Sequence, residues 1–239
     1  MGVSILESII LLAVFIYCIF LIPKYISFRN STYKDASGNS FLRTIYDKGK
    51  YGEFLTFLYL EKLSSYKRLM TNLYLPKSNE ETTEIDLLML TEKGIYVFES
   101  KNYSGWIFGD EKNKNWTQTL QNKQKNRFFN PIWQNKGHIN ALKSTLGING
   151  DTFYKSFIIF SERCTLKKIN VTSPNVKVIK RNQLIRSIKE DINNSSYLLS
   201  KEEIDKLYTK LRNYTHTNDL IKRTHVENIK AKKNSNRFI

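Results

Sequence analysis

Asp86, Glu99 and Lys101 are the residues of this 239-residue chain whose types and spacing could do chemistry together. Asp86 lies in the apolar run Ile85 to Leu90, Glu99 and Lys101 follow the run Ile95 to Phe98, and Thr91-Glu92-Lys93-Gly94 separates them. Two strand-favouring runs around a turn-forming tetrad predict a β-hairpin. If Glu92-Lys93 is a two-residue loop, Thr91 faces Gly94, Asp86 lies opposite Glu99, and Glu84 lies opposite Lys101. Strand period two then puts Glu84 with Asp86, and Glu99 with Lys101, on one face. One reading is a solvated hairpin end with a Glu84–Lys101 pair. That reading leaves Asp86 against Glu99, and like charges directly opposite destabilise a sheet. A divalent cation removes the repulsion, because two carboxylates and a strand carbonyl are hard-oxygen ligands suited to Mg²⁺ or Mn²⁺. Lys101 would then stabilise the charge that develops when water attacks a phosphodiester. A bulge at Gly94 would slip the pairing by one residue and move Asp86 to the other face.

Other elements must hold these residues in place. From Phe41 to about Leu63 apolar residues recur at helical spacing, which predicts one helix starting near Gly49, or two joined there. Glu53 would sit in its first turn, where an acid favours the helix dipole. A third strand is expected over 66–75, ended by Pro76, and a short one at Trp106-Ile107-Phe108. Residues 112–127 hold Lys112, Lys114, Lys123, Lys125 and Arg127 with no acid, which suggests a phosphate-contacting flap. Trp116 within it either stacks on a base or packs the loop onto the core. Asn130-Pro131 opens a helix to about Leu146, ended by Gly147, with Gln134 near its beginning. His138, four residues on, reads as a surface histidine. Residues 153–160 and 176–180 read as strands, the first central, and 182–193 and 201–213 as amphipathic helices. Ser200 to Glu203 has the form of a capping box.

The same residues resemble a known family. Asp86 followed by Glu99-Ser100-Lys101 resembles the signature of the PD-(D/E)xK nuclease superfamily. More closely, Gly52-Glu53, Glu84-Ile85-Asp86, Gly94 to Gly105, Trp116 and Asn130 to Asn135, in that order, resemble the nuclease-related domain, NERD, over roughly residues 45–160. Glu84 stands where the family commonly has Gln, and Ser100 where Thr is usual. The resemblance implies a restriction-endonuclease-like mixed sheet of four or five strands flanked by helices. It implies a metal held by Asp86, Glu99 and the Ser100 carbonyl, with Lys101 polarising water. Glu53 would be an accessory carboxylate, and Gln134 a residue that positions water or phosphate.

The net charge of +16 calls for a polyanionic partner, nucleic acid or an acidic membrane surface. Two cysteines and three histidines without ligand spacing exclude a disulfide framework and a zinc site. Residues 8–22 carry no charge, and apolar residues extend back to Ile5, as in a transmembrane anchor. Lys24, Arg29 and Lys34 follow it, placing the remainder in the cytoplasm. The expected organisation is an anchor over 1–23, a polar linker over 24–40, a nuclease-like domain over 41–165, an α/β extension over 166–221 and a basic tail over 222–239. The function expected is a membrane-tethered, Mg²⁺- or Mn²⁺-dependent nuclease acting on DNA rather than RNA. The competing expectations are a degenerate nuclease fold that binds nucleic acid or a protein partner, and a lipid-surface protein using its basic tail.

Overall fold

The computed structural model describes residues 5–77, 81–215 and 227. Two mixed sheets flanked by helices make up the fold. The first holds five strands in the order β1 (Lys67–Pro76), β2 (Thr82–Thr91), β3 (Gly94–Lys101), β7 (Tyr154–Phe160) and β9 (Val176–Lys180). The second runs β6 (Lys125–Phe129), β5 (Asn115–Thr119), β4 (Gly105–Asp110) and β8 (Cys164–Asn170). β1, β2 and β3 are antiparallel neighbours, whereas β3, β7 and β9 run parallel, so β3 is the middle strand and β7 lies beside it.

The hairpin forms in the expected register, from Thr91↔Gly94 to Leu87↔Phe98. Gly94 is required there: its φ is +129°, and a Cβ would lie 2.8 Å from the Phe153 carbonyl oxygen. Both faces of the hairpin are buried, which is why its strands read as near-continuous apolar runs. Leu88, Leu90, Ile95 and Val97 pack with Ile139 and Leu142 of α5 (Pro131–Leu146) and Ile204 and Leu211 of α7 (Lys201–Arg212). Leu87, Met89, Tyr96 and Phe98 pack with Phe54, Phe57 and Leu60 of α4 (Lys48–Glu61) and with Leu184 and Ile188 of α6 (Leu184–Asn194). The expected caps are present: Asn130 Oδ1 accepts from Ile132 N at 2.9 Å, Gly147 closes α5 at φ +76°, and Ser200 and Glu203 cap α7 reciprocally.

Several expectations are corrected. The helical stretch is the two-helix alternative, α3 (Phe41–Tyr46) and α4, but the break falls at Asp47 rather than Gly49, and the Asp47 carboxylate caps Lys50 N at 3.0 Å. The stretch 112–127 is not a free flap, because β5 and β6 within it pair into the second sheet. The linker is not a polar tether. α1 (Ile5–Arg29) runs on past Pro23, Phe28 and Tyr33 are 4% and 0% exposed, and both pack against Phe54. Tyr33 opens a short helix, α2 (Tyr33–Ser37). The boundary at 165/166 falls inside β8, and β9 extends the main sheet, so the extension is part of the domain. The basic tail lies almost wholly outside the described residues. α1 is long and apolar enough to cross a membrane by length and composition.

Candidate active site

The site forms where β2 and β3 part. Their ladder ends at Leu87↔Phe98, one residue short of the Asp86–Glu99 pairing that the register implies. On the other side of β2, the ladder to β1 passes from Thr71↔Leu87 to Leu73↔Ile85, stepping over Asn72 and Asp86. Asn72 takes a φ of +53° at that step. Ile85 and Leu88, three residues apart, share one core cluster, as do Met70 and Leu73, so the alternation of period two resets here in both strands. Asp86 thereby leaves the sheet faces and turns along the sheet, where its Oδ2 accepts a hydrogen bond from Ser100 N at 3.2 Å. The hairpin keeps the expected register, but β2 is not a regular strand at Asp86.

Glu99 and Lys101 lie on the face toward α5. The Lys101 ammonium donates to Glu99 Oε1 at 2.6 Å and to Gln134 Oε1 at 3.0 Å. His138, one helical turn beyond Gln134, is buried, and its Nε2 lies 3.0 Å from Glu99 Oε2. Its Nδ1 lies 2.7 Å from the Thr83 hydroxyl. An ionised Glu99 can only accept, so Nε2 donates to it. Burial would raise the proton affinity of Glu99, but the charge of Lys101 and the His138 hydrogen bond outweigh it, holding Glu99 below the usual carboxylate range. Burial likewise opposes the charge of Lys101, and the carboxylates of Glu99 and Asp86 overcome it, raising the ammonium above its ordinary value. His138 is therefore not a surface histidine. Its position four residues after Gln134 was legible; its burial was not.

Glu53 approaches from the other side. It lies in the second turn of α4, too far from the Asp47 cap to serve the helix dipole. Gly52 lets the helix come this close: a Cβ there would lie 2.9 Å from Asn102 Cβ. One Glu53 oxygen, Oε2, is buried without a hydrogen-bond partner. Burial, with the charges of Glu84, Asp47 and Glu99 prevailing over Lys50, pushes its carboxyl up to about 8. Burial and then the charges of Glu99 and Glu53 also raise Asp86 well above the carboxylate range. Glu84 accepts from the Tyr74 hydroxyl at 2.6 Å, while Lys101 engages Glu99 and Gln134; the Glu84–Lys101 pair of the bland reading is not formed.

Sequence reasoning missed Arg181, just after β9. It is 1% exposed and donates to Thr56 Oγ1 at 3.2 Å and to Glu162 at 2.9 Å. Thr56 in turn lies 3.4 Å from the Ser100 hydroxyl, so Arg181 ties α4 to the strand that carries the site. Lys112, Lys114, Lys123, Lys125 and Arg127 are all exposed, on the second sheet and its turns. Trp116 is 1% exposed, stacked on Phe160 with its indole N–H on the Asp110 carbonyl at 3.0 Å, and so presents no ring face to a base.

The donor chemistry fits a hard cation. The charges of Glu99 and Glu53 raise the proton affinity of Asp86, that of Glu99 also raises Glu53, and one buried Glu53 oxygen has no hydrogen-bond partner. Among the described residues, no three His, Cys, Asp or Glu side chains are gathered closely enough to hold a metal as they stand.

Residues 48–161 match the nuclease-related domain family. The chain is also 36% identical, over 163 residues, to an uncharacterized protein of Bacillus anthracis, the match covering 67% of this chain and 74% of that relative. No solved structure matches significantly. An Asp on a parted strand, a Glu and a Lys two residues apart on its neighbour, and a helix-borne Glu beside them fit that assignment: the chain belongs to the nuclease-related domain family, and through it to the PD-(D/E)xK nucleases.

Proposed function

We propose that this protein is a metal-dependent nuclease, tethered to the membrane by α1, that hydrolyses phosphodiester bonds in DNA. The observation that carries the reading is the Lys101 ammonium, fixed between Glu99 and Gln134 beside Asp86. An ammonium has three donor hydrogens, and these two contacts use two. The third can orient water or a phosphate oxygen, and the positive charge opposes the negative charge that grows on phosphorus oxygens in the transition state.

Asp86, Glu99 and Glu53 would hold Mg²⁺ or Mn²⁺ with the Ser100 carbonyl. In a strand that carbonyl lies on the same edge as the Ser100 N–H, toward Asp86. When bound, the cation supplies Lewis-acid polarisation of the scissile phosphate and lowers the pKa of water. His138 and Thr83 hold Glu99 in place, and Gln134 keeps Lys101 turned toward it. The basic residues after the apolar run, Lys24, Arg29 and Lys34, favour a cytoplasmic domain, where nucleic acid is a polyanion at hand.

One observation favours a second reading, a nuclease fold that binds nucleic acid without cutting it: the carboxylates are not gathered into a three-ligand metal cluster among the described residues. The two are separated by incubating supercoiled plasmid with the full chain in neutral detergent, with Mg²⁺, Mn²⁺ or EDTA. Asp86→Ala and Lys101→Ala are run alongside. Metal-dependent nicking by the wild type alone is expected. Plasmid retention without nicking under every metal supports the second reading, and nicking by either variant at the wild-type rate overturns the site assignment.

A further inference from the structure

We propose that the outward face of the second sheet is a platform for single-stranded nucleic acid, with exposed aromatic rings stacking on bases and a ring of cations on phosphates. The register places these residues in rows. Lys125, Thr119, Trp106 and Thr165 are successive cross-strand neighbours, and Arg127, Thr117, Phe108 and Lys168 form the next row. Phe129 continues the line of Lys125 and Arg127 at alternate positions of the edge strand β6. The opposite face is the buried one, where Ile107, Trp116, Phe128 and Leu166 pack together.

Three features single this face out. First, Trp106 and Phe129 are 51% and 46% exposed, Phe129 lying edge-on to the ring of Trp133, itself 40% exposed. Large rings left in water on a sheet are the means by which proteins bind unpaired bases, because every base offers a π-face. Second, the register slips between Ile107 and Phe108, so that Lys167 is an extra residue in β8. Its ammonium lies over the Trp106 ring, 4.9 Å from the centroid, a cation–π contact that a flexible lysine can exchange for an incoming base and its phosphate. Third, Lys125, Arg127, Lys167 and Lys168 are exposed, and the acid in the outward rows is Asp110 at the strand end, already bonded to Asn170 at 2.8 Å. That charge fits a polyanion. A duplex hides its bases from such rings, so the aromatic component selects the single-stranded form. β4, the strand that bears Trp106, begins four residues after Lys101.

The inference deepens the nuclease reading by naming the form of nucleic acid it takes, and its test needs no cleavage. Binding of fluorescein-labelled oligo(dT), oligo(rU) and a mixed-sequence duplex to the full chain in neutral detergent is measured in EDTA by anisotropy, with tryptophan emission followed in parallel. Single strands should bind more tightly than duplex and quench emission. Trp106→Ala and Phe129→Ala should each weaken single-strand binding roughly 5- to 150-fold, and Trp106→Tyr, which keeps a ring, should restore most of it. Lys168→Ala should lower the salt dependence by about 0.7 in log–log slope. Equal affinity of wild type and Trp106→Ala with the melting temperature unchanged, or preference for duplex, overturns the proposal. Emission insensitive to oligonucleotide but shifted in anionic-lipid nanodiscs also overturns it, and assigns the face to the membrane. Since cleavage is read separately on plasmid, an inactive protein that binds single strands sinks the nuclease reading and leaves the platform standing.

Discussion

Glu99 carries more of the site than its place in a short motif suggests. It is nearly inaccessible to water and meets a cation at one oxygen and a histidine at the other. Removing a partner strands a buried charge, so His138→Ala should destabilise the protein by about 1–3 kcal/mol, read by chemical denaturation. Lys101→Ala should lower metal-dependent nicking at least about a hundredfold, on the scale of losing one transition-state donor, with the circular dichroism spectrum unchanged. Glu53 has the opposite problem, a carboxyl whose burial outweighs the charge of Lys50 and raises its proton affinity. Its folded pKa of about 8 lies above the unfolded value of about 4.3. The folded state therefore holds the extra proton, and in EDTA this contribution to stability is lost as pH rises from about 4.3 through about 8. Glu53→Gln should flatten that loss and raise the melting temperature at pH 8. With the wild type, added Mg²⁺ or Mn²⁺ should raise the melting temperature by mass action; a flat response over millimolar metal would remove the cation from the proposed site.

At the scale of elements, the site depends on a strand that breaks its own rule. Asp86 reaches Ser100 N because β1 and β2 both reset their alternation, and Asn72 at φ +53° is the hinge of that reset. A β-branched residue is strained in this conformation, so Asn72→Val should cost about 1–3 kcal/mol and reduce nicking as well. Asn72→Gly should preserve both, since glycine tolerates positive φ. A second latch holds the end of the second sheet. Glu111 accepts from Thr172 N at 2.7 Å, from Ser173 N at 3.0 Å and from the Ser173 hydroxyl, joining the β4–β5 turn to the segment before β9. Burial would raise its carboxyl, and these hydrogen bonds instead hold it down to about 2. A depressed folded pKa gives stability that is present above the unfolded value of about 4.3 and lost as pH falls toward 2. Glu111→Gln should lower the melting temperature at pH 7 and leave it nearly unchanged at pH 2.

At the scale of the molecule, the apolar N-terminal helix and the domain are one continuous body. Phe28 at the end of α1 and Tyr33 at the start of α2 are core residues, their rings tilted against Phe54 of the helix that carries Glu53. A chain cut at residue 29 loses Phe28, and Phe28→Ala in the full chain should cost about 3–5 kcal/mol, the range for truncating a buried aromatic. The apolar N-terminal helix is thus coupled to the site through packing, since Phe28 touches the helix that carries Glu53. A domain hung on a free tether would not respond to that substitution.

What the sequence determined by itself is whatever local pattern can encode. Apolar runs around Thr91 to Gly94 specified the hairpin and its register, Asn130-Pro131 and Ser200 to Glu203 specified helix starts, and the order of short motifs specified the family. These signals rest on period, capping chemistry and turn geometry, which act over a few residues. Only the tertiary structure decided the rest. Whether a polar or aromatic residue is buried depends on partners far along the chain. His138 meets Glu99, Trp116 meets Phe160, and Arg181 meets Thr56 across 125 positions. Apart from the expected strand at Trp106 to Phe108, the second sheet was illegible because its strands are short and polar on one side, and because β4 and β8, two of its neighbours, lie more than fifty residues apart. The linker read as a tether because one buried tyrosine among polar residues leaves no period to detect. Local physics wrote the elements, and non-local burial chose which of their side chains became the site.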